Sequence, residues 1–298
     1  MSTMRILLLG TGTPKPSLKR MGAGCLVEVG SDAILFDAGP GVFHRLLEAG
    51  IPATRVSHLF LSHLHYDHCM DYGRLVLTRW DQGHGRVPEL RVFGPAPLSR
   101  MNAALFSPEG AFAPDIEARL HHPASVAVYV NRGGKPPRER PSPEIIEINA
   151  GEIFSGQGWC VRAVEVPHVQ PYLVSYGFRL DCADGSFAYS GDAGRSEDFF
   201  RLAHGCDVLV HMCYQISGTS PGPEWTQGAA GHIEAAEVAC AAQAKVLVVS
   251  HISSQMESPG VREKLIAEMA AIFKGRLIWA EDLMEIPLGV SASIQHEG

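Results

Sequence analysis

The chain has 298 residues, of which 46% are hydrophobic and 19% charged, so it is long enough to bury a large core and ordinary for a globular protein. A formal net charge of −7 argues against a broadly basic surface of the kind that grips nucleic acid without specificity. No stretch reaches the roughly 18 apolar residues of a membrane span, Ile6–Leu9 is too short for a secretion signal, and the seven cysteines, with no Cys-x-x-Cys pair, read as reduced thiols of a cytoplasmic protein.

In chain order, β-branched and aliphatic runs predict strands at Arg5–Leu9, Cys25–Val29 and Ala33–Phe36. A helix at Val42–Ala49 ends at Gly50, a strand follows at Ser57–Leu61, and a second helix begins near Tyr72. From Phe106 to Glu144 the pattern loosens into Pro, Gly and Arg and reads as a loop-rich insertion around 106–144. Strands are expected again at Ile145–Ile148, Trp159–Val166, Ser175–Leu180 and Ser186–Tyr189, then a helix at Glu197–Ala203 and a strand at Val208–Val210. After a Gly/Pro-rich loop at Gly218–Gly228 come a helix at Ile233–Ala242, a strand at Val246–Ser250, a helix at Gly260–Phe273 and short segments at Arg276–Ala280 and Glu285–Leu288. With no internal repeat and no clean break, one mixed α/β domain over 1–298 is expected.

The segment Ser62-His63-Leu64-His65-Tyr66-Asp67-His68 places three imidazoles and a carboxylate directly after a buried strand. Such groups are costly to bury together unless a cation lies among them. Imidazole nitrogen with carboxylate oxygen suits zinc and other first-row divalent ions, and the lack of Cys excludes an all-thiolate structural zinc site. His63 and His65 share a face if strand geometry persists, while Asp67 and His68 lie where the chain turns away. One ion could hardly use all four groups, whereas two ions roughly 3.5 to 4 Å apart could share them. Three later strand ends each deliver one similar group: His168 after Val166-Pro167, Asp192 after Ser190-Gly191, and His251 after Ser250.

Ile34-Leu35-Phe36-Asp37-Ala38-Gly39, His63-Leu64-His65-Tyr66-Asp67-His68, His168, Ser190-Gly191-Asp192 and His251, in that order, make the chain resemble the metallo-β-lactamase superfamily over nearly its whole length. The resemblance implies a four-layer αβ/βα sandwich with a two-metal site at the edge where the sheets meet. It implies that His63, His65 and His168 hold one ion and that Asp67, His68 and His251 hold the other. Asp192 would bridge the two and Asp37 would support them. Two ions, zinc being the first choice over manganese or iron, would lower the pKa of a bridging water and so supply a hydroxide nucleophile.

Leu9-Gly10-Thr11-Gly12-Thr13-Pro14, Arg91-Val92-Phe93-Gly94-Pro95, Leu209-Val210-His211 and Gly231-His232 are similar to the ribonuclease Z and arylsulfatase-like branch. Two departures stand out. The arm that ribonuclease Z commonly inserts between the residues matching His168 and Asp192 has no room in the 23 residues that separate them here. The Glu that follows the residue matching His211 is Met212 in this chain.

The expectation is therefore a dinuclear metal-dependent hydrolase of a small ester-like substrate: a sulfate ester, phosphodiester, lactone or carboxylic ester. Asp67 and His232 are the candidate catalytic residues, His232 as an acid. Walls from Ser217–Gly228, with Trp225, and from Phe106–Pro141 would shape the substrate pocket. Arg132, Lys135, Arg138 and Arg140 read as a solvated loop face, with attraction of an anion as the other reading. Neither nucleic acid nor membrane is expected as a partner, and a homodimer is left open. The alternatives are a ribonuclease Z-like tRNA 3′-processing phosphodiesterase and a metal-binding sensor without catalysis.

Overall fold

The computed structural model describes residues 4–220 and 222–288; residues 1–3, Pro221 and 289–298, which the single-domain expectation also spans, lie outside the described residues. From the N-terminal side, β1 (Arg5–Gly10), β2 (Gly24–Val29) and β3 (Asp32–Phe36) precede α1 (Val42–Glu48). Next come β4 (His58–Phe60), α2 (Tyr66–Cys69), α3 (Tyr72–Gly83) and β5 (Arg91–Gly94), then α4 (Leu98–Phe106), α5 (Ala113–His121) and α6 (Pro123–Asn131). β6 (Glu144–Glu147), β7 (Ile153–Gly156), β8 (Trp159–Glu165), β9 (Tyr176–Cys182) and β10 (Gly185–Tyr189) lead to α7 (Glu197–Leu202) and β11 (Val208–Met212). The last described elements are α8 (Pro223–Gly228), α9 (His232–Ala241), β12 (Val246–Ser250), α10 (Val261–Ile272), β13 (Arg276–Trp279) and β14 (Glu285–Ile286).

The strands form two seven-stranded mixed sheets, one ordered β14-β1-β2-β3-β4-β5-β6 and the other β13-β12-β11-β10-β9-β8-β7. Period-two alternation decides what each strand contributes to the layers. On β3, Ile34 and Phe36 face the space between the sheets, where they join Phe60, Phe93, Phe178, Phe187, Val210 and Val248. Ala33 and Leu35 face the other way, with Val42 and Leu46 of α1 and Leu75 and Val76 of α3. On the second sheet Leu209, Leu247 and Val249 likewise turn outward, against Ala235 and Val238 of α9 and Leu265 and Met269 of α10. Strands that are apolar on both faces need cover on both, and the result is the expected four layers: helix, sheet, sheet, helix.

Two local expectations are corrected. The stretch from Phe106 to Glu144 is not mainly loop: α5 and α6 occupy most of it, each with Pro in its first turn, where a missing N–H costs nothing. The irregular parts are 107–112, His122 and 132–143. The Gly/Pro-rich segment before α9 likewise ends in a short helix, α8.

Phe60 stacks on Phe93 at 4.4 Å between ring centroids and on Phe36 at 5.4 Å, with no solvent exposure. Replacing it with Ala is expected to remove about 3–5 kcal/mol of stability, measured as a shift in the urea midpoint at unchanged m-value.

A candidate two-metal site at the sheet edge

β3 and β4 run parallel in the first sheet, and β10, β11 and β12 run parallel in the second, so their C-terminal ends collect at one edge. The predicted residues sit there. Asp37 follows β3, His63 and His65 follow β4, Asp67 and His68 lie on α2, and His168, Asp192 and His251 follow β8, β10 and β12. Asp37 and His251 adopt left-handed backbone, with φ of 60° and 57°, a conformation uncommon for non-glycine residues.

Asp37 is the buried hub. Its carboxylate accepts from Ser62 N–H (2.7 Å), Ser62 Oγ–H (2.8 Å), His68 Nδ1–H (2.7 Å) and Tyr189 O–H (2.8 Å). Because the Ser62 hydroxyl spends its proton on Asp37, the 3.0 Å contact between Ser62 Oγ and His63 Nδ1 is a donation by the imidazole. His168 Nδ1 donates to the carbonyl of Gly228 at 2.7 Å. These bonds protonate Nδ1 of His63, His68 and His168 and leave each Nε2 as a lone pair pointing inward.

The inward atoms fall into two groups, His63, His65, His168 and Asp192 in one and Asp67, His68 and His251 in the other. In the first, His63 Nε2 lies 2.9 Å and His168 Nε2 3.2 Å from His65 Nδ1. One proton on His65 could satisfy only one of those lone pairs. In the second, His251 Nε2 is 3.2 Å from Asp67 Oδ2 and 3.4 Å from Asp192 Oδ1. His68 Nε2 and Asp192 Oδ1 face each other at 3.2 Å, both buried and neither hydrogen-bonded, one acceptor against another. Ligands about 2.0–2.1 Å from a tetrahedral ion stand roughly 3.3 Å apart, so these spacings fit divalent cations.

The electrostatics agree. Burial pushes His63 well below its usual pKa, helped by the neighbouring His68. His68 stands well above the usual value: burial opposes its charge, but Asp192 and Asp37 together outweigh that, drawing positive charge to where Nε2 faces Asp192, as a proton or as a cation. Asp192 is held well below the carboxylate range, its burial overcome by His251 and His68. The pocket calls for positive charge at its centre.

Beside these groups opens a cavity of about 520 Å³, lined by His65, His168, Asp192 and His251 on one side and by Met212, Tyr214 and Trp225 on the other. Tyr214 was not singled out from the sequence, although it follows β11 as the ligands follow their strands. Its pKa is raised, first by burial and then by Asp192 and Asp67. Trp225 is 44% exposed and does line the cavity, as expected of the Ser217–Gly228 wall.

Three expectations fail on geometry. His232 is 2% exposed and does not line the cavity: Nδ1 accepts from Ser217 N–H at 3.1 Å and Nε2 meets Glu268 Oε2 at 3.0 Å, so neither nitrogen is free to serve as an acid. The support that Met212 cannot give it comes from Glu268 on α10. Phe106–Pro141 does not line the cavity either. Of the four basic residues expected on a solvated face, Arg132 and Lys135 are exposed, but the other two are built into the fold: Arg138, whose side chain is 5% exposed, stacks over Trp80 at 3.8 Å and pairs with Asp81, while Arg140 pairs with Glu117.

Strand ends that deliver two imidazole–carboxylate groups to one edge of a four-layer sandwich define a class of metal-dependent hydrolase. Residues 23–251 match the family model described as the Metallo-beta-lactamase superfamily, and the chain belongs to that superfamily. It is 31% identical to Ribonuclease Z of a Mycobacterium species (strain KMS), over 99% of this chain and 100% of that protein. Among solved structures it is similar to the metallo-beta-lactamase fold protein YhfI of Bacillus subtilis (TM-score 0.71, 18% identity, covering 95% of this chain and 98% of that one). It is also similar to the short form of human tRNase Z (TM-score 0.67, 20% identity, 96% and 100%). The expectation that nucleic acid is not a partner does not stand, because the whole-length relative at 31% identity is a ribonuclease. Among the described residues no helix is long and apolar enough to cross a membrane.

His232→Ala is expected to leave kcat within about twofold of the parent while costing roughly 1–3 kcal/mol of stability, the penalty for stranding Ser217 N–H. Steady-state kinetics and thermal unfolding of the variant check both.

Proposed function

We propose that the chain is a two-metal phosphodiesterase of the ribonuclease Z kind, removing the 3′ extension of a tRNA precursor. The observation that carries the reading is the meeting of the two donor groups at Asp192, whose Oδ1 faces His68 and His251 while its Oδ2 lies 3.8 Å from His168 Nε2. The whole-length relationship to Ribonuclease Z supports RNA over the other ester classes.

In this reading His63, His65 and His168 would hold one ion, Asp67, His68 and His251 the other, and Asp192 both. Zinc is the ion that such a nitrogen-rich set suits best. Two bound divalent cations supply a water acidic enough to attack near neutral pH and positive charge for the phosphoryl oxygens. The chain's own residues do the orienting. Asp37 and the Gly228 carbonyl fix the tautomers of His68 and His168, so the lone pairs are aimed before any ion arrives. Asp67, anchored by His251, would orient the attacking water. Burial of the donors keeps bulk water from screening them.

A second reading, a small phosphodiester as substrate, draws on one feature. β8 passes to β9 through residues 166–175 alone, so the arm that would grip a tRNA is missing from its usual place.

The test pairs a precursor tRNA carrying a 3′ trailer with bis(p-nitrophenyl) phosphate, an aryl sulfate and a carboxylic ester. A single cut near the trailer junction, reduced at least about a thousandfold by Asp192→Ala, is the expected result. Turnover of the aryl phosphodiester with an intact precursor would favour the second reading, and equal activity in parent and variant would sink the two-metal mechanism. Metal analysis of the purified chain is expected to find close to two ions, with fewer than one retained by Asp192→Ala.

A further inference from the structure

Hydrolysis of a phosphodiester expels an alkoxide, a poor leaving group unless a proton or a cation meets it, and a positioned acid is worth about 10²–10⁴-fold. The residue first expected to supply that acid, His232, is not available. Met212 lines the cavity where the ribonuclease Z pattern has Glu, and a thioether has no proton to give; its Sδ instead accepts from Ala193 N–H at 3.3 Å. His232 is engaged at both nitrogens, by Ser217 and Glu268.

Among the described residues lining the cavity, two titratable side chains stand outside the donor groups, Tyr214 and Glu224. Glu224 is exposed on α8 and as a carboxylate only accepts. Tyr214 is half-buried and fixed in place: its backbone N–H donates to Ala230 O at 2.9 Å. Its ring lies 5.6 Å from the His251 ring on one side and 5.8 Å from Trp225 on the other. The phenol hydroxyl makes no hydrogen bond to a described residue and is not among the buried polar atoms that lack a partner, so it opens to the cavity. An O–H donor thus lines the same cavity of about 520 Å³ as His65, His168, Asp192 and His251, open to a substrate seated there.

We propose that Tyr214 is the catalytic residue that protonates the leaving oxygen, supplying the acid that His232 does not provide. The inference rests on the phosphodiesterase reading. The oxygen of the attacking water forms its bond to phosphorus and its proton passes to solvent. The bond from phosphorus to the leaving ester oxygen breaks with its electron pair on that oxygen, which takes the phenolic proton of Tyr214. The phenolate then recovers a proton from solvent water, and no oxidant or further reactant is needed.

The experiment compares the parent and Tyr214→Phe across phosphodiesters of increasing leaving-group basicity, from bis(p-nitrophenyl) phosphate through alkyl aryl esters to RNA. An acid matters most where the leaving oxygen is most basic. The expected result is a kcat loss of about 10²-fold on RNA and unactivated esters, shrinking toward the p-nitrophenyl ester, with KM and bound metal unchanged. The plot of log kcat against leaving-group pKa becomes steeper in the variant. A loss of the same size on every substrate, or none on any, overturns the assignment, the former marking a packing role against His251. Metal content and thermal unfolding of the variant distinguish misfolding from lost chemistry. A parent inert on every phosphodiester overturns the functional reading itself, and is seen before any variant is made.

Discussion

A single buried carboxylate organises this molecule. Asp37 has no solvent exposure, and a charge so placed is costly unless fully hydrogen-bonded. Its four donors come from Ser62 and His68, after β4 in the first sheet, and from Tyr189, at the end of β10 in the second. Satisfying Asp37 therefore pins the two sheets together at the edge where the ligands emerge. The same bonds decide which nitrogen of His68 and, through Ser62, of His63 is left as a lone pair. A packing requirement between layers and a tautomer requirement at the site are met by one side chain. The left-handed backbone at Asp37 marks where the chain departs from its preferred geometry to meet both.

Close approach of backbone extends the same logic. Gly39 N–H donates to Ala23 O, and a Cβ at Gly39 would stand 2.0 Å from the carbonyl oxygen of Asp67. The turn after β3 and the start of α2 are thus packed main chain against main chain. That contact sets the depth of Asp67 and His68 in the site.

The fold and the donor set were largely legible from sequence because both are written locally. A strand buried on both faces is a continuous apolar run, as in Val246-Leu247-Val248-Val249, and its C-terminal residue can be read directly from the next position. What escaped was written at long range or against local propensity. α6 alternates Val with small and polar residues and buries little beyond Tyr129, so neither a helical stripe nor a strand alternation announces it. Arg138 and Arg140 look like solvent-facing charges until the fold brings Trp80, Asp81 and Glu117 to them. Glu268 lies 36 residues from His232, and no motif relates the two.

The chain departs from the ribonuclease Z pattern at Met212, on the cavity wall rather than among the donors. The candidate donors constrain one another: seven groups aimed at two points leave little freedom to any one of them. The cavity wall carries no such constraint, since an acid needs only to reach the leaving oxygen and can be offered from any strand end around the opening. Met212 and Tyr214 lie two residues apart at the end of β11, where backbone hydrogen bonds to Ser250 and Ala230 hold the chain along the cavity. A proton donor at Tyr214 acts at the mouth without disturbing the donors beneath. His232 does not line the cavity, and its bond with Glu268 ties α9 to α10 instead. Within such a scaffold the metal groups determine that hydrolysis happens, and the residues after β11 determine which leaving group is handled well.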